Sequence, residues 1–174
     1  MTAKFPPTIL LLAVFVVIAT SPVARADGEL TEEQALIYWG HYNDIAWMAF
    51  RRGDLDLAEF RFSKAIESIR PYQKIHLGVT ARSYHDLTRV LCAQKRFAEA
   101  EPLAKWVIEA REHDPRTRDD ALFDAVYLLA IIERELHKDA ESIPLFTRAV
   151  LIEEKNVGAG SPRLALSIKE LADA

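Results

Sequence analysis

Within the stretch His85, Asp86, Arg89 and Cys92, this 174-residue chain brings together a thiol, an imidazole, a carboxylate and a guanidinium. Such a set suits nucleophilic catalysis only if the thiol sits in an electropositive, partly open setting and a base is oriented toward it. Arg89, one turn before Cys92, supplies a nearby charge, but His85 and Asp86 are adjacent. On a helix their side chains diverge by about 100° and neither orients the other. The simpler reading makes Cys92 a small buried or groove-lining residue and His85 a surface or groove histidine. No two of the five histidines and the cysteine are three or four residues apart, so no helix face carries a metal pair. Asp119-Asp120 and Glu153-Glu154 are neighbours in sequence only, not an acid/base pair. Gly158-Ala159-Gly160-Ser161 lacks the preceding strand and following lysine of a phosphate loop, and reads as a helix end joined to a serine N-cap. No catalytic constellation, metal or cofactor is expected, and an enzyme built on Cys92 and His85 is the last alternative.

The elements that carry these residues repeat. Gly53 to Glu59 falls on Lys95 to Glu101 and then on His137 to Ile143, a constant offset of 42 residues. Ile45-Ala46, Leu87-Thr88, Leu129-Ala130 and Leu171-Ala172 recur at that offset, as do Lys64-Ala65-Ile66, Trp106-Val107-Ile108 and Arg148-Ala149-Val150. A period in this range marks stacked supersecondary units. Helical spacing of apolar residues covers the chain after about residue 31, with no strand pattern. Thr31-Glu32-Glu33-Gln34 predicts a capping box opening a helix that runs to about Arg52, where Gly53 ends it. The next helix begins near Asp56 and buries Ala58, Phe62, Ala65, Ile66 and Ile69. Further pairs are expected over about 78–94 with 98–112, and 116–136 with 140–155, and a last helix over 162–173. Asp114-Pro115 and Ser161-Pro162 read as helix starts. Small residues at Ala46, Thr88, Ala130 and Ala172, and at Ala58, Ala100 and Ser142, let paired helices approach closely. Leu164, Ile168, Leu171 and Ala172 form a stripe able to cover the third pair.

Ahead of the repeats, Lys4, the apolar run Ile9–Ala19, Pro22 and Ala24-Arg25-Ala26 form a secretory leader with cleavage after Ala26. The run has 11 residues, well short of the roughly 20 that span a bilayer, so no membrane insertion is expected after cleavage. Residues 27–174 then form one domain, with repeats over about 38–76, 77–118 and 119–160 and a half repeat over 161–174. Without Lys4 and Arg25 it carries 20 basic and 26 acidic side chains, a net charge of −6, which gives no reason to bind nucleic acid. Cys92 is the only cysteine, so no internal disulfide forms.

Glu99-Ala100-Glu101-Pro102-Leu103, Arg148 to Lys155 and Gly160 to Ser167 closely resemble the tetratricopeptide repeat, in the 42-residue variant of kinesin light chains and bacterial multi-repeat proteins. The resemblance spans about Tyr38 to Ala172. Departures concentrate in the third repeat, where His137 replaces the turn glycine, Asp139 an apolar residue, and Glu133 the site of Ala49 and Leu91.

That resemblance implies an all-α solenoid of three helix pairs plus one terminal helix, wound as a right-handed superhelix with its first helices lining the concave face. Projected onto this chain, the groove would be lined by Asn43, Trp47, Phe50 and Arg51, then Arg82, His85, Arg89, Cys92 and Ala93, then Asp124, Tyr127, Ile131, Arg134 and Glu135. Arginines suit carboxylates and aromatic rings bury area at low entropic cost. The expected function is an exported, periplasmic or secreted, non-enzymatic adaptor that holds a protein or peptide segment in this groove. The alternative is a self-assembling subunit of an envelope complex, a homo-oligomer through the repeat ends.

Overall fold

A computed structural model describes residues 29–157 and 162–172. The leader, its cleavage site and the segment 158–161 with Ser161 lie outside the described residues. Among the described residues seven α-helices follow one another: α1 (Glu32–Arg51), α2 (Leu55–Ile69), α3 (Leu77–Ala93), α4 (Phe97–His113), α5 (Asp119–Glu135), α6 (Asp139–Val157) and α7 (Pro162–Ala172), with a 3-10 turn over Arg70–Tyr72. Among the described residues there is no strand.

Each helix packs chiefly on its neighbours in the chain, as a solenoid requires. Thr31 caps α1 as its sequence demands: its Oγ1 accepts from the Gln34 amide at 3.3 Å, and Gln34 Oε1 accepts from the Thr31 amide at 3.0 Å. The turns inside the three pairs are built alike. Gly53, Lys95 and His137 have φ of 78°, 63° and 60°. Behind them Asp54, Arg96 and Lys138 each donate a backbone N–H to the carbonyl five residues earlier, at 3.0, 2.9 and 2.9 Å. This is the left-handed helix ending that glycine meets without strain and other residues do not.

Small residues occupy the crossings. Ala46, Thr88 and Ala130 on the first helices and Ala58, Ala100 and Ser142 on the second are all 0% exposed. One apolar core unites α3, α4, α5 and α6 through Leu91, Val107, Phe123, Val126, Leu129 and Ile132. A second, smaller one joins α1, α2 and Val90 of α3 around Phe62. Between α1 and α3 the buried contacts are polar, at Ser83 and Asp86, which receive the Trp39 and Trp47 indoles. Outside the cores, successive repeats are tied by ion pairs in the same register, Arg96 to Glu59 at 2.6 Å and Lys138 to Glu101 at 2.6 Å.

Three expectations change. Asp114-Pro115 does not start α5, which begins at Asp119; Asp114 instead closes α4 and accepts from the Arg116 amide through its side chain, making a turn. The stripe on α7 is only partly covered: Leu164 is buried, but Ile168 is 49% exposed and Ala172 is exposed as well. Ile168 is the counterpart of Val126, which its own repeat's second helix α6 covers, and among the described residues no helix follows α7. Glu133, at a site apolar in the other repeats, is buried at 1% exposed without collapse of the third repeat. Lys105 of α4 approaches its carboxylate at 2.9 Å and Lys138 at 3.4 Å, because an interior charge persists only when paired.

Candidate groove site

Among the first helices, side-chain contacts tie α1 to α3 and α5 to α7. Trp39 Nε1 donates to Ser83 Oγ at 2.6 Å and Trp47 Nε1 to Asp86 Oδ2 at 3.2 Å. Farther along, Arg134 of α5 pairs with Glu170 of α7, and Arg163 of α7 with Asp124 of α5. These bonds align one surface of the stack.

At the α1 end of that surface lies a cleft of about 480 Å³ lined by Asn43, Asp44, Trp47, Met48, Arg51 and Arg82. Four of the projected residues therefore share one concavity. Asn43 is only 5% exposed, and its Oδ1 accepts no hydrogen bond. Beside the cleft, the Arg89 guanidinium rests 4.8 Å from the Trp47 ring centre and 5.6 Å from that of Phe50. The two rings meet edge to face at 5.6 Å, an arrangement favourable to both the aromatic pair and the cation. Arg51, Arg82 and Arg89 are exposed, and none makes an ion pair among the described residues.

The α5 end is different. Tyr127 and Ile131 are half-buried, Tyr127 stacking on Phe123 at 5.7 Å and meeting Phe146 edge on. Arg134 spends its charge on Glu170 and lies over the Phe146 ring, so its guanidinium is engaged within the fold. Ala93, Asp124 and Glu135 are exposed.

Under the arginines lies a layer of buried and half-buried groups, of which the groove projection held His85 and Cys92 but not Asp86 and Arg111. Burial pushes the Asp86 carboxyl up to about 6, against the pull of Arg82, the Trp47 hydrogen bond, Arg89 and Arg111. Burial pulls the His85 imidazole down to about 3, with Arg111 and Arg89 adding to the effect. Arg111 is itself buried, and donates to the Ala121 carbonyl. Burial pushes the Cys92 thiol up to about 11, with Glu135 adding to the effect, so at neutral pH it stays protonated. Cys92, His85 and Arg89 make no hydrogen bond with one another, and no group of acidic, histidine or cysteine side chains that could hold a metal exists among the described residues. Asp86 and Arg111 escaped the projection because their burial depends on which neighbouring helix covers them, which a 42-residue register does not specify. The counterparts of Asp86 are Asp44, which is exposed, and Leu128.

The family model described as Tetratricopeptide repeat matches residues 38–113, the first two repeats, and stops where the third diverges. Two solved structures share the fold at 17% identity. One is a putative kinesin light chain from Podosopora anserina with nearly identical TPR-like repeats, with a TM-score of 0.69 over 95% of this chain and 74% of that one. The other is the N-terminal domain of stress-induced protein-1 (STI-1) from C. elegans, with a TM-score of 0.61 over 79% of this chain and 97% of that one. No curated protein sequence matches the chain. The first two repeats match the tetratricopeptide-repeat family, and the described residues fold as the all-α solenoid of such repeats, with three helix pairs and a further helix. Repeats of this kind generally mediate protein–protein interaction and scaffolding.

Proposed function

We propose that this protein is an exported, non-enzymatic adaptor that captures an acidic protein segment in the α1–α3 cleft. The carrying observation is a set of three exposed arginines that make no close ion pair among the described residues. Arg51 and Arg82 line the cleft and Arg89 stands beside it on Trp47 and Phe50, all three without a carboxylate partner among the described residues. The chain as a whole is acidic, at −4, so a local cationic surface is not a consequence of its composition. Guanidinium groups offer a planar fork that pairs with carboxylates. The aromatic pair adds area that is already ordered, which lowers the entropic cost of binding. Export, by cleavage after Ala26, is part of this reading and places the adaptor in the periplasm or outside the cell.

The test is a pull-down from a native envelope fraction with Arg51→Ala/Arg82→Ala and with Arg134→Ala, once circular dichroism shows both variants folded. Capture abolished by the first and kept by the second is the expected result, with bait recovered from cells beginning at Asp27. Equal capture by all three baits would move the site off the cleft. A second reading, self-assembly through the stack ends, is favoured by Leu151, Ile168 and Leu166, which are 61%, 49% and 48% exposed near the α7 end. A solution mass above that of one chain would support it.

A further inference from the structure

Asp86 sits one turn from Arg82 and one turn from Arg89 on α3, 5% exposed, beneath the surface that those two arginines present. Its side chain accepts one hydrogen bond, from the Trp47 indole of α1 at 3.2 Å. The charges acting on it are Arg82 and Arg89 of its own helix and Arg111 of α4; α1 offers it only that indole, and no charged group of α2 acts on it. Asp120 and Asp124 of α5 act on Arg111 rather than on Asp86. His85 beside it is neutral throughout the range at issue. A buried carboxylate with one neutral hydrogen-bond donor therefore depends on the potential of three arginines to stay ionised.

We propose that capture of an acidic segment by the α1–α3 cleft is coupled to uptake of a proton at Asp86, so that the segment is held more tightly at pH 5.5 than at pH 7.5. The proposal rests on the reading of the cleft as an acceptor of anionic segments. A carboxylate docked on Arg82 or Arg89 neutralises part of the potential that keeps Asp86 ionised, and adds a like charge close by. Asp86 then takes up a proton more readily. Linkage makes the effect reciprocal: the protonated carboxyl no longer repels the segment, and the arginines above it present their full charge. Asp86 without ligand is poised near pH 6, so the change falls inside a range that an extracytoplasmic protein meets. For charges a few ångströms beyond contact near a protein surface the coupling amounts to about tenfold in affinity.

The probe is an acetylated, amidated hexa-aspartate peptide, whose carboxyls, near pKa ~4, remain largely ionised at pH 5.5. Isothermal titration calorimetry of the mature protein at pH 5.5 and 7.5, and at pH 6 in two buffers of different ionisation enthalpy, reads affinity and proton uptake together. The expected result is about sixfold tighter binding at the lower pH, with roughly half a proton taken up at pH 6. Asp86→Asn, which keeps an acceptor for Trp47, abolishes both and binds at pH 7.5 as the native protein does at pH 5.5. Binding without proton uptake, or a pH dependence that survives in Asp86→Asn, overturns the coupling and leaves the cleft reading standing. No binding at either pH overturns the cleft reading and the coupling together. Should Asp86→Asn not fold, carbon NMR of the Asp86 carboxyl decides, since a titration unmoved by saturating peptide overturns the proposal.

Discussion

His85 and Asp86 are consecutive, and burial acts on them in opposite directions. His85 is held down to about 3, well below the ~6.5 of an unfolded imidazole, so its contribution to stability is full above about pH 6.5. It is lost as pH falls, because only the unfolded chain takes up the proton, and by pH 5 the loss is about 2 kcal/mol. Asp86 is held up to about 6, so its contribution is full below about pH 4 and is lost as pH rises through 6. Between pH 7 and pH 5 the two partly cancel. His85→Gln removes the first and leaves the second. Urea unfolding is therefore expected to show the variant gaining about 2 kcal/mol relative to the native protein between pH 7 and pH 5. A constant difference across that range would mean that His85 titrates normally. Neither residue could be assigned this behaviour from its neighbours in sequence.

At the scale of elements, the three helix-pair turns allow a comparison inside one molecule. Gly53, Lys95 and His137 hold the same left-handed conformation at the same place in the repeat, and only the first is suited to it. A side chain there costs about 1 kcal/mol or more, from which the greater freedom of glycine in the unfolded chain subtracts part. Lys95→Gly and His137→Gly are each expected to stabilise the protein by about 0.5 kcal/mol, while Gly53→Ala destabilises it by about 1 kcal/mol. A Cβ added at Gly53 would meet no atom within 4 Å, so that loss would be a backbone effect alone. Thermal unfolding of the three variants checks the sign of each. Here the repeat alignment alone identified the positions, since a fixed register transfers backbone conformation from one unit to the next. It misplaced the start of α5, because Asp114 has the side chain of an N-cap and uses it to close a turn.

Across the whole molecule, the apolar core is divided at the α1–α3 seam. The core over α3–α6 includes Phe123, Val126 and Ile132, all at most 3% exposed, whereas the smaller cluster of α1 and α2 holds three alanines, Phe62 and Val90 in its buried part. Stability in such a stack is roughly a sum of unit and interface contributions, and a polar interface contributes less than an apolar one. The first pair is therefore expected to open as a unit before the rest. Native-state hydrogen exchange should give amides of α1 and α2 a lower opening free energy than those of α4 and α5. One common value throughout would show the seam to be as cooperative as the core. The candidate cleft lies beside this seam, where partner contacts would stabilise the least secured pair.

Apolar spacing, caps and the 42-residue offset together determined the helices, their pairing, the left-handed ending at Gly53 and the small residues at the crossings, while the same ending at Lys95 and His137 came from the structure. All of these are local or nearest-neighbour properties, and they repeat because the covalent register repeats. The resemblance to the tetratricopeptide repeat, rather than the offset, implied that Asn43, Trp47, Arg51 and Arg82 share one face of the stack. Only the tertiary structure decided which charges on that face are already spent. Arg134 has Glu170 and Arg163 has Asp124, whereas Arg51, Arg82 and Arg89 have no such partner. It decided too that Asp86 is buried while its counterpart Asp44 is exposed. Ion pairing and desolvation depend on distances across 36 to 39 residues of chain and on which helix lies overhead, and no periodicity encodes either.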